Sequence, residues 1–326
     1  MAGPSGARTK DAPPREFFIV GCPRSGTSLL RFMLDAHPSI AVTPETHFGE
    51  RHLSDSRSAA VGAFCASDAF LRMQIDEDRF RRAVNEAPQT PHLREDPWRP
   101  LRIALHEFAR CRGVDIVGEK TPSHALHLNA LSSAFPRARF LLVLRDPRAV
   151  AASWLQTSWS KQTPIEVAEK WRRHSRAMRQ ARDSLGDRCL EVRYEELVED
   201  PEAVLGSICS LLGVEFDSRM LRFHDRRRDD PDARLPPDEG RDNSRLYGPV
   251  DPTRMGAWRH ELGPRDRCRI ESACGRTMIE MGYRPETPFL GRLAESLLIA
   301  PRLLRRGLRR RLRELRLSPI APVDPI

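Results

Sequence analysis

The stretch "FFIVGCPRSGTSLLRFML", residues 17–34, decides the fold. An apolar run from Phe17 to Val20 enters Gly21; Gly26 follows, then Thr27, Ser28 and an apolar-periodic segment. This is the outline of a strand, an anion-binding turn and a helix, in which backbone N–H groups and the helix dipole face a negative charge. The nucleoside-triphosphate form of such a loop reads G-x-x-x-x-G-K-S/T. Here Thr27 stands at the lysine position and Arg24 lies inside the loop. A triphosphate with magnesium brings that lysine, so the loop suits a less charged anion that needs no divalent metal.

Outward from this stretch the chain alternates strands with helices. "HPSIAV" (37–42) reads as a turn and short strand, and "VDIVGEKTP" (114–122) as a buried strand ending in a charged loop. "RFLLVLRDPRAVAASWL" (139–155) and "CLEVRYEELVEDPEAVLGSICSLLGV" (189–214) each run strand, turn, helix. Strands separated by crossover-length helices predict an α/β, P-loop-like three-layer fold, with a central parallel sheet flanked by helices. Ligands in such sheets bind at the carboxyl ends of the strands, where the charged loops fall. Residues 1–15, rich in Pro, Gly and Ala, are expected to be disordered. The domain is expected over 16–285, including a helical, arginine-studded region at 49–112 on the acceptor side, and 286–326 to be a basic amphipathic tail.

The 326 residues are 40% hydrophobic and 30% charged, a globular composition with ample sequence for a core. Eight arginines and one glutamate in 302–316 account for +7 of the net +9. The remaining chain is close to neutral, at about +2. With 6% aromatics and no recognition-helix pattern, nucleic acid is not the expected partner. The seven cysteines are scattered, without C-x-x-C or zinc spacing, and read as reduced thiols. No signal peptide and no transmembrane run are read, so a cytoplasmic protein is expected. Leu304, Leu308, Leu312 and Leu315 make an apolar stripe beyond Pro301, which predicts packing on protein or a peripheral contact at the inner membrane face.

"PRSGTSLLRFMLDAHPSI" and "LRDPRAVAASW" resemble the two nucleotide-binding signatures of sulfotransferases that use 3′-phosphoadenosine-5′-phosphosulfate (PAPS). "TPETHF" (43–48), "GEKTPSH" (118–124), "VRYEELVEDPEAVL" (192–205) and "GAWRHEL" (256–262) follow in family order, in the flavour of the bacterial and Golgi-type group that includes the tyrosylprotein branch. The resemblance implies metal-independent sulfuryl transfer from PAPS as cosubstrate. By motif, Arg24, Ser25, Gly26, Thr27 and Ser28 are implied to hold the 5′-phosphosulfate, and Arg145 and Ser153 the 3′-phosphate. Arg254 and Trp258 resemble a late loop that closes over the cosubstrate, although the R-K-G triplet of the cytosolic branch is missing there. Tyr194 is either a nucleotide contact or a core tyrosine.

An alcohol acceptor needs a base. "TPETHF" offers Glu45 and His47, which in an extended segment would point to one side. Glu45 matches the catalytic glutamate of the tyrosylprotein branch and is the preferred base, with His47 the alternative. Lys120, ending a buried strand, is assigned to stabilising the sulfuryl or leaving group. His124 and His127 are expected in packing or at the acceptor, and Asp146 and Arg148 in pinning their turn. The expected function is sulfation of a hydroxyl on a carbohydrate, lipid-linked or natural-product acceptor. The alternatives are a P-loop kinase or nucleotide hydrolase, with Asp146 as a magnesium carboxylate, and a non-catalytic membrane-associated adaptor. A homo-oligomer is left open.

Overall fold

The computed structural model describes residues 13–53, 57–86, 96–157, 160–225 and 248–299. Five parallel strands, β1 (Arg15–Gly21), β2 (Ile40–Val42), β3 (Ile116–Lys120), β4 (Arg139–Leu144) and β5 (Cys189–Arg193), form one sheet in the order β2-β3-β1-β4-β5. The central strands are apolar throughout because both faces are covered. Alternation still decides which core each side chain joins. Phe18 and Val20 of β1, with Phe140, Leu142 and Leu144 of β4, face one core; Phe17, Ile19, Leu141 and Val143 face the other.

The second core is covered by α1 (Thr27–Asp35) together with the helices Tyr194–Glu199 and Pro201–Leu212. On the first core lie α2 (Arg99–Arg112), α3 (Pro147–Leu155), α4 (Pro164–Leu185) and α5 (Pro264–Cys274). Thr163 and Glu166 close a capping box at the start of α4, with Pro164 at its first position, so its sequence declares where this helix begins. The chain leaves β1 toward one face through α1 and leaves β4 toward the other through α3. That divergence opens the crevice in which such sheets bind ligands.

Two boundaries differ from those read in the sequence. β1 begins at Arg15, whose guanidinium donates to Leu212 O at 2.7 Å. Residues 286–299, assigned to a tail, are docked on the domain. The buried Glu271 carboxylate accepts the Glu286 and Thr287 N–H groups at 2.9 Å each, and residues 289–299 are helical, with Ile299 2% exposed. The stripe at 304–315, residues 1–12 and most of the 224–245 loop lie outside the described residues.

Candidate active site

The loop after β1 has little room. A Cβ at Gly21 would lie 2.6 Å from Val143 O, so only glycine lets β1 run this close to β4 at the crevice. Arg24 (φ 72°) and Gly26 (φ 95°) are both left-handed, turning the loop back onto the start of α1. At Gly26 a Cβ would also meet the Tyr194 ring at 2.3 Å. Helix α1 has no side-chain cap, so the N–H groups of its first turn are left to face the crevice.

The loops after β1 and β4 then interlock. Arg24 Nε donates to Ser153 Oγ at 3.1 Å, and the Arg145 guanidinium donates to Arg24 O at 3.1 Å while lying over the Tyr194 ring at 4.0 Å. Arg24, Arg145, Ser153 and Tyr194 thus form one cluster. Ser25 Oγ and Arg145 Nε are buried there without a hydrogen-bond partner. Buried polar atoms of this kind demand an explanation, and an anion that accepts from both supplies one. The turn beneath is rigid: Trp171 Nε1 donates to Arg145 O at 2.9 Å. Both Asp146 carboxylate oxygens bond the Arg148 guanidinium at 3.0 and 2.7 Å, and Arg148 also reaches Glu271 at 2.9 Å. Asp146 therefore pins its turn, as expected. Cys22, inside the loop, is no nucleophile, because burial pushes its thiol up to about 12.

A second array abuts the first. Lys120, 1% exposed, donates to Ser28 Oγ at 3.1 Å and pairs with Glu45 Oε1. Glu45 Oε2 lies 3.3 Å from His47 Nε2, and His47 Nδ1 lies 3.5 Å from Glu50. Glu45 and His47 do meet, but not by extended geometry. His47 is left-handed (φ 49°) and opens the short helix Phe48–Arg51, so a turn brings the two together. The Glu50 carboxylate, 3.5 Å from Nδ1, raises the His47 pKa; burial opposes this and the Glu45 charge reinforces it. Protonation of the ring is therefore easier beside the Glu45 carboxylate than in a free histidine.

What holds this loop went unread in the sequence. Glu119 is fully buried and accepts from Thr46 N at 3.3 Å, Thr46 Oγ at 2.8 Å, Thr121 Oγ at 2.5 Å and His124 Nδ1 at 2.9 Å. His124 Nε2 accepts the Gly49 N–H at 3.0 Å, which requires a neutral ring protonated on Nδ1. Burial pushes the Glu119 carboxyl up, but the His124, Thr121 and Thr46 contacts outweigh it and hold it below the usual range. The available signal was a carboxylate inside an otherwise apolar strand. Alternation along β3 sends Glu119 and Lys120 to opposite sides, one to structure and one to the crevice.

The helical region on the acceptor side packs against the same loop, with Phe48 contacting Phe64 at 5.3 Å and Trp98 at 5.9 Å between ring centroids. Trp98 in turn meets His124 and His127 edge-on, which places both histidines in packing behind the base loop. Trp258 is 4% exposed and stacks on Arg148 at 3.9 Å, so it serves the core. Arg254 closes the 3₁₀ turn Pro252–Arg254, and its side chain lies outside what is described.

Fold and site together define a P-loop-like α/β protein with an anion cradle and a carboxylate–lysine pair at its edge. The family profile described as "Sulfotransferase family" matches residues 14–218, and the chain belongs to that family. Among its relatives, protein-tyrosine sulfotransferase 1 of Danio rerio is 26% identical over 85% of this chain and 74% of its own length. Protein-tyrosine sulfotransferase 2 of Gallus gallus is 30% identical over 64% of this chain and 53% of its own. The sulfotransferase domain of the Synechococcus PCC 7002 olefin synthase superposes with a TM-score of 0.59 at 25% identity, covering 84% of this chain and 97% of that domain.

Proposed function

We propose that this protein transfers the sulfuryl group of PAPS to an acceptor hydroxyl, with Glu45 as the base and no metal. One observation carries the reading: the Ser28–Lys120–Glu45–His47 array adjoins the Arg24–Ser153–Arg145–Tyr194 cluster, joined through loop 24–28. PAPS, when bound, supplies an activated sulfuryl group on a good leaving group. The loop amides, Ser25 and Thr27 would hold its 5′ end, and Arg145 with Ser153 its 3′-phosphate. Lys120 holds positive charge where charge shifts to the leaving group, and Ser28 keeps it there. Glu45 accepts the acceptor's proton. His47, 3.3 Å from Glu45 Oε2, would orient that carboxylate.

The acceptor is a hydroxyl on a carbohydrate, lipid-linked or natural-product molecule, or a phenolic hydroxyl of the kind named for the tyrosine-sulfating relatives. The kinase alternative is disfavoured because Asp146 is already bonded through both oxygens to Arg148. Calorimetry with adenosine 3′,5′-bisphosphate in EDTA tests the reading. Binding is expected, and Arg145→Ala should weaken it by about 10–100-fold, the value of losing hydrogen bonds to a charged group. A requirement for magnesium, or equal competition by ATP, would overturn it.

A further inference from the structure

The helix over 289–299 is built inside out. Its inward side carries the polar groups: Glu295 lies 3.6 Å from both Arg265 and Arg269, and Arg292 O accepts from Ser272 Oγ at 3.0 Å. Its outward side is wholly apolar, with Phe289, Leu290, Leu293, Ala294, Leu297 and Leu298 exposed in a repeat of four. The five large side chains among them are 67, 76, 47, 70 and 66% exposed. Only Leu71, Leu155 and Ile279 join them as exposed large apolar residues among the described ones, so this stripe is the surface's main apolar feature. A contiguous patch of this kind marks an interaction site, not scattered surface leucines.

The chemistry that follows in the chain selects the occupant. Immediately after this helix, residues 302–316 hold eight arginines against one glutamate. An apolar face beside a dense cationic segment complements an anionic lipid surface, with leucines entering the acyl boundary and arginines meeting phosphates. The same charge works against self-association, because every copy carries +7 in residues 302–316. We infer that the 289–299 face is a docking surface for anionic bilayers, an occupant favoured by the +7 charge of the sequence at 302–316. This holds independently of what the active site transfers.

Flotation of the full-length protein with vesicles tests the inference, using phosphatidylcholine alone and mixed with phosphatidylglycerol. Binding to the mixed vesicles is expected at low salt and should fall by about tenfold or more on phosphatidylcholine alone or at high salt. Leu290→Glu/Leu297→Glu, at exposed positions, should lose about tenfold or more on mixed vesicles. Its binding of adenosine 3′,5′-bisphosphate should remain, which reports an intact fold. Replacing Arg305, Arg309, Arg310 and Arg313 by glutamine should abolish the salt-sensitive part. The inference is overturned if the wild type fails to float with mixed vesicles, or if the leucine variant floats equally well. It is equally overturned if sedimentation velocity shows a wild-type dimer that the leucine variant dissociates without any vesicle binding.

Discussion

The two halves of the site are held by different means. The anion cradle is made from two loops that follow adjacent strands, and its shape comes from backbone: two left-handed residues, a close β1–β4 approach at Gly21 and an uncapped helix start. The base half is made from side chains carried on a segment outside regular structure, residues 43–47, tied to β3 and the residue after it through Gly118 O, the Glu119 carboxylate, Lys120 and Thr121. The first half is therefore expected to suffer more from loss of a glycine than of a single side chain, and the second most from loss of a carboxylate.

The largest effect that would break this comparison lies at Glu45. Glu45→Gln keeps the shape and removes the base, so turnover should fall by roughly 10²–10⁴-fold. Affinity for adenosine 3′,5′-bisphosphate, a property of the other half, should stay within about twofold of the wild type. Steady-state kinetics beside calorimetry checks both. Retained turnover in Glu45→Gln with a loss in His47→Ala would move the base to His47.

Next comes Glu119, which touches no substrate. Glu119→Gln leaves at least one buried donor, from Thr46, Thr121 or His124, without its acceptor, at a cost of about 1–3 kcal/mol in unfolding free energy. Turnover should fall while cosubstrate affinity holds, and Glu119→Asp should recover part of it. The pH dependence sharpens this. The folded-state pKa of Glu119 is depressed, so its contribution is present above the ordinary carboxylate value and is lost as pH falls through the folded value. Urea unfolding should therefore show wild type and Glu119→Gln converging in acid. Parallel profiles down to acid would deny Glu119 this anchoring role.

This contrast also explains what the sequence disclosed. The cradle was legible because its determinants are local: an apolar strand, glycines at fixed offsets, and an arginine at each strand's end. Even the meeting of Arg24 with Ser153 follows once the strands are parallel and adjacent. The base half was legible only as candidates. That Glu45 and His47 touch depends on a left-handed His47, which no residue preference at that position announces. Glu119 and His124 stayed hidden because a buried carboxylate is recognised by its partners, which arrive from residues 46 and 49, far along the chain. The docking of residues 286 and 287 stayed hidden for the same reason. Residues 286 and 287 are fixed by Glu271 through backbone N–H groups, which leave no trace in side-chain pattern.

The smallest predicted effect concerns His47 and separates the two candidate bases by pH. Its side chain is 29% exposed, and the neighbouring Glu50 carboxylate, against burial and with the Glu45 charge, raises its folded-state pKa above the ordinary 6.5. A raised value means that the stability it contributes is fully present below pH 6.5 and disappears as pH rises through the folded value. His47→Gln should thus be less stable than wild type in mild acid, and the gap should close in mild alkali. The kinetic corollary has the opposite sign for the two roles. If imidazolium steadies Glu45, wild-type kcat falls or stays level as His47 loses its proton, and His47→Gln removes that dependence. If His47 were the base, kcat would climb through the same range. A rising limb that vanishes in His47→Gln would reassign proton transfer to the imidazole and leave Glu45 as its orienting carboxylate.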